Sequence, residues 1–261
     1  MPEFPEIEAY RRIATPLIGE RIDGIDLRDD RMLRRGDEAA EIYGVLGGAS
    51  IDDVRAHGKV LLFDLDVGRS FALTFGLRGW LSVDGRVSSP SGTTRERTPK
   101  PEHVRLSMEV GGHLMELEDL LRMATIELDF DESRLGPHVG TMSKRDFRDV
   151  VGGSSAVVKS LLMNQRRIAG IGNLIADEIF YQAGIDPRRS ADDLSDDEFD
   201  DLWAAVRTTR DRVVAKGGSH RGVLIDSGSR AKGESCPRCG VEIRRVKVGG
   251  RTTFFCPRHQ V

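Results

Sequence analysis

A chain of 261 residues, 39% hydrophobic and 31% charged, holds enough apolar material for one large core or two ordinary ones, which excludes a disordered or fibrous protein. No apolar run reaches the length of a membrane-spanning helix and the first residues lack the apolar stretch of a secretory signal, so a cytoplasmic protein with no membrane partner is expected. The formal net charge of −3 hides an uneven distribution: residues 216–261 carry ten Lys and Arg against three acids, whereas residues 192–201 carry seven acids and no base.

The chain opens Met1-Pro2-Glu3-Phe4-Pro5-Glu6. Pro5 in a first turn, with acids at the positive end of the dipole, is ordinary helix-start chemistry. Ile7, Tyr10, Ala14 and Leu17 recur at helical spacing and predict a helix over residues 5–18, stopped by Gly19. The same opening supports a second reading. A small residue after Met1 favours its trimming, which would leave a secondary α-amine on Pro2 beside Glu3 and Glu6. An α-amine titrates near about 8, so part of it is nucleophilic at neutral pH, and an amine with a neighbouring acid is the equipment of Schiff-base catalysis.

The next hundred residues read as strands. Val60 to Phe63 returns, after a turn, as Phe71 to Leu77; Val104, Leu106, Met108 and Val110 alternate with polar residues, and Gly111-Gly112 turns that strand into Leu114–Glu118. Short strands between turn signals predict a β-sandwich or barrel, and the Ser, Thr, Pro and Arg of residues 88–101 predict a mobile surface loop. A linker around Gly136-Pro137 precedes helical periodicity: residues 147–162, interrupted near Gly152-Gly153; residues 174–182, ended at Gly184; and a helix opened by the capping box Ser195 to Glu198 and closed at Gly217-Gly218. Residues 217–235 read as a flexible arm. The expected domains are therefore 1–133, 134–218 and 219–261.

The most specific motif lies at the C-terminus. Cys236-x2-Cys239, sixteen residues, then Cys256-x2-His259 gives two paired ligand corners at zinc-ribbon spacing. Four ligands leave no open position, so one structural Zn2+ is expected. Between the corners a hairpin turned at Gly249-Gly250 carries Arg244, Arg245, Lys247 and Arg251, a basic ribbon suited to phosphates. Gly170-Ile171-Gly172-Asn173 before an amphipathic helix offers an anion-binding turn. It is no dinucleotide fingerprint, since no strand precedes it and the third glycine is missing, so no nucleotide cofactor is expected.

Taken in order, the Pro-Glu terminus, the β-sandwich, the Gly-Ile-Gly-Asn turn and the zinc hairpin resemble the formamidopyrimidine-DNA glycosylase and endonuclease VIII family over nearly the whole chain. Gly58-Lys59 before an apolar strand is similar to that family's lysine loop. The resemblance implies an α+β fold of two domains: an N-terminal helix with a β-sandwich, and a helix–two-turn–helix domain with a terminal zinc-finger hairpin. It implies a monomeric, nucleoid-associated DNA repair glycosylase and abasic-site lyase acting on damaged double-stranded DNA. Pro2 would attack C1′, Glu3 would be the assisting acid and Glu6 would support the terminus. Lys59, Asn173 and Arg251 would grip phosphates, Lys59 and Arg251 would also assist β- and δ-elimination, and Leu77, Arg122 and Met123 would contact the DNA.

Departures from the family pattern cluster on lesion reading. Thr74 stands for a phosphate-binding histidine, Leu77 for a wedge methionine, Leu121 for an arginine that reads the orphaned base, Met123 for an aromatic wedge and Pro101 for a histidine. The arm 217–235 is short for a loop that covers an oxidised purine. A preference altered from 8-oxoguanine is the resulting expectation. The alternative is a non-catalytic binder of damaged or distorted DNA; an RNA-binding zinc ribbon leaves Pro2-Glu3 unexplained.

Overall fold

The computed structural model describes residues 2–34, 36, 38–226 and 228–261, apart from the side chain of Ile225. Met1, and with it the expected trimming, lies outside the described residues. The chain divides into two compact units, Met1–Glu132 and Ser133–Val261.

In the first unit, helix α1 (Phe4–Ala14) starts after an extended Glu3 and carries a proline in its first turn. It ends four residues short of the predicted helix, giving way to a 3-10 turn, Thr15–Leu17. Pro16 is the cause: it has no N–H to continue the helical ladder, and its ring crowds the carbonyl four residues back. There follow β1 (Ile22–Leu27), α2 (Ala39–Leu46), β2 (Ile51–His57), β3 (Val60–Leu65), β4 (Ser70–Thr74), β5 (Trp80–Val83), β6 (Arg86–Ser88), β7 (Thr94–Glu96), β8 (Val104–Val110), β9 (His113–Glu118) and β10 (Thr125–Leu128). They form a six-stranded sheet in the order β1-β8-β9-β5-β6-β7 and a four-stranded sheet in the order β10-β4-β3-β2. Alternation decides the faces: Leu106, Met108 and Val110 of β8, with Met115 and Leu117 of β9, share one buried core with Leu61, Phe63, Phe71 and Leu73 of the smaller sheet and Ile7, Tyr10 and Ala14 of α1. Phe63 and Phe71 stack at 4.5 Å across β3 and β4.

The predicted surface loop 88–101 is partly an edge hairpin. Gly92, at φ 88°, turns the chain; the Ser89 hydroxyl meets those of Ser91 and Thr93; and β7 pairs with β6. Polar strands hide from hydrophobic periodicity, since β7 is exposed at all three positions.

The second unit contains α3 (Lys144–Val151), α4 (Val158–Met163), α5 (Asn173–Ala183), α6 (Asp196–Ala215), α7 (Val223–Asp226) and a hairpin, β11 (Arg244–Val248) with β12 (Arg251–Phe255). Gly152 and Gly153 separate α3 from α4, Gly184 ends α5 in the left-handed conformation, and Ser195 with Glu198 closes the expected capping box on α6. Phe147 packs against Phe199 and Trp203 at 5.2 and 5.3 Å. The arm departs from its reading as a flexible segment. The buried Glu178 carboxylate accepts from Val223 N and Leu224 N at 2.8 and 2.9 Å, and Arg230 binds the buried Asp177 at 2.8 Å. Carboxylates contributed by α5 thus capture a stretch that also packs Leu224 and Val223 against Tyr181 and the hairpin.

Candidate active site and nucleic-acid interface

In the first unit the strands β2 and β3 pair up to His57 and Val60, leaving Gly58-Lys59 as a two-residue turn. Gly58 takes φ 62°, which a glycine adopts without strain and which matches the strand twist. The turn places Lys59 in a cavity of about 170 Å3 that it shares with Pro2, Ile7, Thr74, Phe75 and Gly76. Arg55 braces the stem, reaching Asp64 at 2.6 Å and Glu132 at 2.9 Å. Glu3 is buried, and its backbone N–H donates to Glu6 Oε2 at 2.9 Å, so Glu6 fixes the backbone immediately after Pro2. Thr74 does not reach into solvent as an imidazole would; its hydroxyl lies 2.7 Å from that of Thr125 on the neighbouring strand. Behind the cavity Tyr10 packs on Phe75 at 4.5 Å and donates to Gly79 O, and burial, with Glu6 nearby, pushes its phenol up. Leu77 and Met123 are both exposed beside the Thr74–Gly76 wall, and Arg122 turns toward Asp29 at 3.7 Å.

In the second unit Asn173 is the first residue of α5, at the positive end of the helix dipole. Its side chain faces inward. Asn173 Oδ1 accepts from Lys159 Nζ at 2.9 Å and its amide donates to Thr252 O at 2.8 Å, tying the helix start to β12. Arg251, exposed, is the residue before Thr252. Lys159 is fully buried and satisfies its other two N–H groups on Asp177 Oδ1 at 2.5 Å and Thr253 Oγ1 at 2.6 Å. Asp177 Oδ2 takes Arg230, whose guanidinium lies over Phe254 at 5.0 Å. Burial pushes the Asp177 carboxyl up, and Lys159 and Arg230 pull it back. Two cations on one carboxylate leave the cluster with net positive charge beneath Asn173, suiting this end of the unit to a phosphate.

The C-terminal corners come together as expected. The ligand atoms of Cys236, Cys239, Cys256 and His259 all lie within 4.8 Å of one another. Cys239 and Cys256 sulfurs are 3.4 Å apart, and His259 Nδ1 faces Cys236 Sγ at 3.6 Å. About 3.8 Å separates sulfurs on a tetrahedral zinc with bonds near 2.3 Å, so the donor set fits that ion. Three thiols in contact without a disulfide are otherwise hard to account for. The protein carries one structural zinc here. The hairpin turns at Gly249 and Gly250, both at positive φ.

Comparison with known proteins covers the same three regions. Residues 1–126 match the formamidopyrimidine-DNA glycosylase N-terminal domain, residues 135–223 its H2TH domain, and residues 233–258 the zinc finger found in FPG and IleRS. The formamidopyrimidine-DNA glycosylase of Laribacter hongkongensis is 31% identical over all of both chains, and that of Xanthomonas campestris is 32% identical over 98% of each. The chain belongs to the formamidopyrimidine-DNA glycosylase family. A crystal structure of the Lactococcus lactis family member, non-covalently bound to DNA containing an abasic site, has TM-score 0.82 at 26% identity over 99% of each chain. Another, of a complex between that protein, a tetrahydrofuran-containing DNA and an inhibitor, has TM-score 0.83 at 25% identity over the full length of both.

Within the family frame the second unit holds the residues that sequence reading missed: Lys159, Asp177, Arg230 and Thr253. A lysine in the apolar run Val158-Lys159-Ser160-Leu161-Leu162 was the available signal, because a cation on a buried helix face demands a buried anion. No helix among the described residues is long and apolar enough to cross a membrane.

Proposed function

We propose that this protein is a DNA repair glycosylase and abasic-site lyase that works through the nitrogen of Pro2, with a lesion preference that departs from 8-oxoguanine. The carrying observation is that Pro2 and Lys59 line one small cavity while Glu6 pins the backbone of a buried Glu3. Once Met1 is removed, the Pro2 nitrogen bonds to C1′ of a flipped nucleotide, and the base leaves with the glycosidic electron pair and takes up the proton the nitrogen releases. Glu3 supplies a proton to the sugar ring oxygen as the ring opens, leaving an iminium between Pro2 and C1′. The iminium acidifies C2′; loss of that proton expels the 3′ phosphate, and a second elimination expels the 5′ phosphate. Lys59, Asn173 and Arg251 hold the flanking phosphates, with Lys59 also placed to move protons in the eliminations.

The preference follows from what the site lacks. Thr74 is spent on Thr125 and the Leu121 side chain has no hydrogen-bonding atom, so neither can do what a histidine or an arginine does for a phosphate or a base edge. The test is a cleavage panel of single oxidised bases in duplex DNA, run with wild type and with Pro2→Gly/Glu3→Gln. The expected result is nicking of abasic sites and of some lesions in preference to 8-oxoguanine opposite cytosine, all lost in the double variant. Undiminished nicking by the double variant would refute the mechanism.

A further inference from the structure

The outer face of the six-stranded sheet carries a cavity of about 300 Å3 across β1, β8 and β9, which shares no lining residue with the Pro2 cavity. Strand alternation separates the two. Leu106, Met108, Val110, Met115 and Leu117 turn inward to the core shared with the smaller sheet, so Ser107, Glu109, Leu114 and Glu116 turn to the opposite side.

The register lays these four out as a quadrilateral. Ser107 stands opposite Glu116 and Glu109 opposite Leu114, so the two carboxylates occupy one diagonal, about 7–8 Å apart, and the hydroxyl and the isobutyl group occupy the other. Neither glutamate side chain has a hydrogen bond or salt bridge among the described residues. Ser107 is only 8% exposed and lines the cavity, yet its Oγ has no hydrogen-bond partner among the described residues either. Leu114 supplies an exposed apolar wall. On β1, Gly24 faces Glu109 and leaves space beside it: a Cβ there would come 3.3 Å from Glu109 Oε2. Asp26, facing Ser107, is neutralised by Arg28 at 2.6 Å, which leaves the charge of two carboxylates uncompensated. Burial pushes the Glu116 carboxyl up, Arg28 pulls it back and Glu118 pushes it up again.

The spacing selects the ligand. Among the described residues the zinc set is the one group of three or more Cys, His or acid side chains close enough to hold a metal ion, so the carboxylates of this cavity converge on no common point. Phosphates are repelled here. A dication whose charges sit apart on a methylene chain answers every feature. We propose that this face binds an aliphatic polyamine, with one ammonium on Glu109, the next on Glu116 and Ser107 Oγ, and the methylenes between them against Leu114. Such charge-assisted hydrogen bonds satisfy both carboxylates and the buried hydroxyl together. The inference stands apart from the Pro2 reading, since DNA takes no part in its test.

The test is titration calorimetry on the full-length zinc protein, free of DNA and at low salt, with putrescine, spermidine, butylamine, Mg2+ and a tetralysine peptide as probes. Wild type is compared with Glu109→Gln/Glu116→Gln, with Leu114→Lys, which places an ammonium in the cavity, and with Asp197→Asn/Asp201→Asn, which removes the same charge from α6. One putrescine or spermidine is expected per chain, with butylamine weaker by about ten-fold or more because it lacks the second ammonium. Affinity for the diamines should fall by about ten-fold or more in the glutamine pair and in Leu114→Lys, and should stay within about two-fold of wild type in the α6 pair. Butylamine or Mg2+ binding as tightly as putrescine, or an undiminished affinity in the glutamine pair, would overturn the proposal. Binding of the tetralysine peptide with no binding of free diamines would overturn it too, and would make the face a protein interface.

Discussion

Replacing Lys159 by methionine removes the charge at the centre of the second unit while keeping most of the side-chain volume. The ammonium has zero exposure and three partners, Asn173, Asp177 and Thr253, all within 2.9 Å. Removing one member of a buried ion pair costs about 3–5 kcal/mol, because the other charge stays buried without compensation. Arg230 still holds Asp177 Oδ2 in the variant, which sets the expectation at the lower end, about 3 kcal/mol. For a unit of this size that corresponds to a melting transition lower by roughly 10 °C. The unit can be watched by itself, since Trp203 lies in it and Trp80 in the other: in a Trp80→Phe background the emission reports Trp203 alone. Adding Asp177→Asn to Lys159→Met removes the stranded charge, and the double variant should be about 2 kcal/mol more stable than the sum of the single effects. DNA affinity should fall in Lys159→Met as well, since Asn173 loses the donor that orients it. A Lys159→Met protein within about 1 kcal/mol of wild type, with no coupling to Asp177, would refute the ion-pair account.

Other outcomes follow from the same geometry. Chelation of zinc, or Cys239→Ser, should abolish DNA binding and release the Trp203 unit while Trp80 keeps its native emission; loss of both signals together would contradict two separately cored units. Glu198 is held down to about 2 by Arg189, with help from Ser195 N, against an ordinary 4.5. A depressed carboxyl stabilises the fold above its unfolded value and loses that contribution as pH falls from 4.5 toward about 2, so α6 should melt earlier through that window in wild type and Glu198→Gln should flatten the dependence. The side chain is a third exposed, which limits the effect to about 1 kcal/mol in thermal scans across pH. Arg230→Ala should free the arm, seen as faster proteolysis within residues 217–235, with β11–β12 still formed.

Residue type at fixed spacing was legible where the chemistry is local. The zinc corners need only four ligands and two tight turns, the Gly58-Lys59 turn needs only a glycine that tolerates positive φ, and the Ser195–Glu198 box closes within four residues. Less legible was whatever depends on a distant partner. Lys159 and Asp177 are eighteen positions apart and become one site only when α4 packs on α5 and Thr253 arrives from the hairpin. The arm looked loose because its anchors, Asp177 and Glu178, lie in another element. Asp119 reads as an ordinary turn aspartate, and nothing in sequence shows that it gathers four successive backbone donors. The helix end at Pro16 and the polar strand β7 were present as local signals but weaker than the hydrophobic period around them.

The central claim is that the Pro2 nitrogen forms the bond to the sugar. Borohydride reduction of the protein on abasic-site DNA, followed by nuclease digestion and mass mapping of the adduct, addresses it directly. The account predicts a deoxyribose remnant on the N-terminal peptide, on a chain that begins at Pro2. A remnant mapped to Lys59 or another lysine, or no adduct under conditions where the abasic strand is cut, would contradict it.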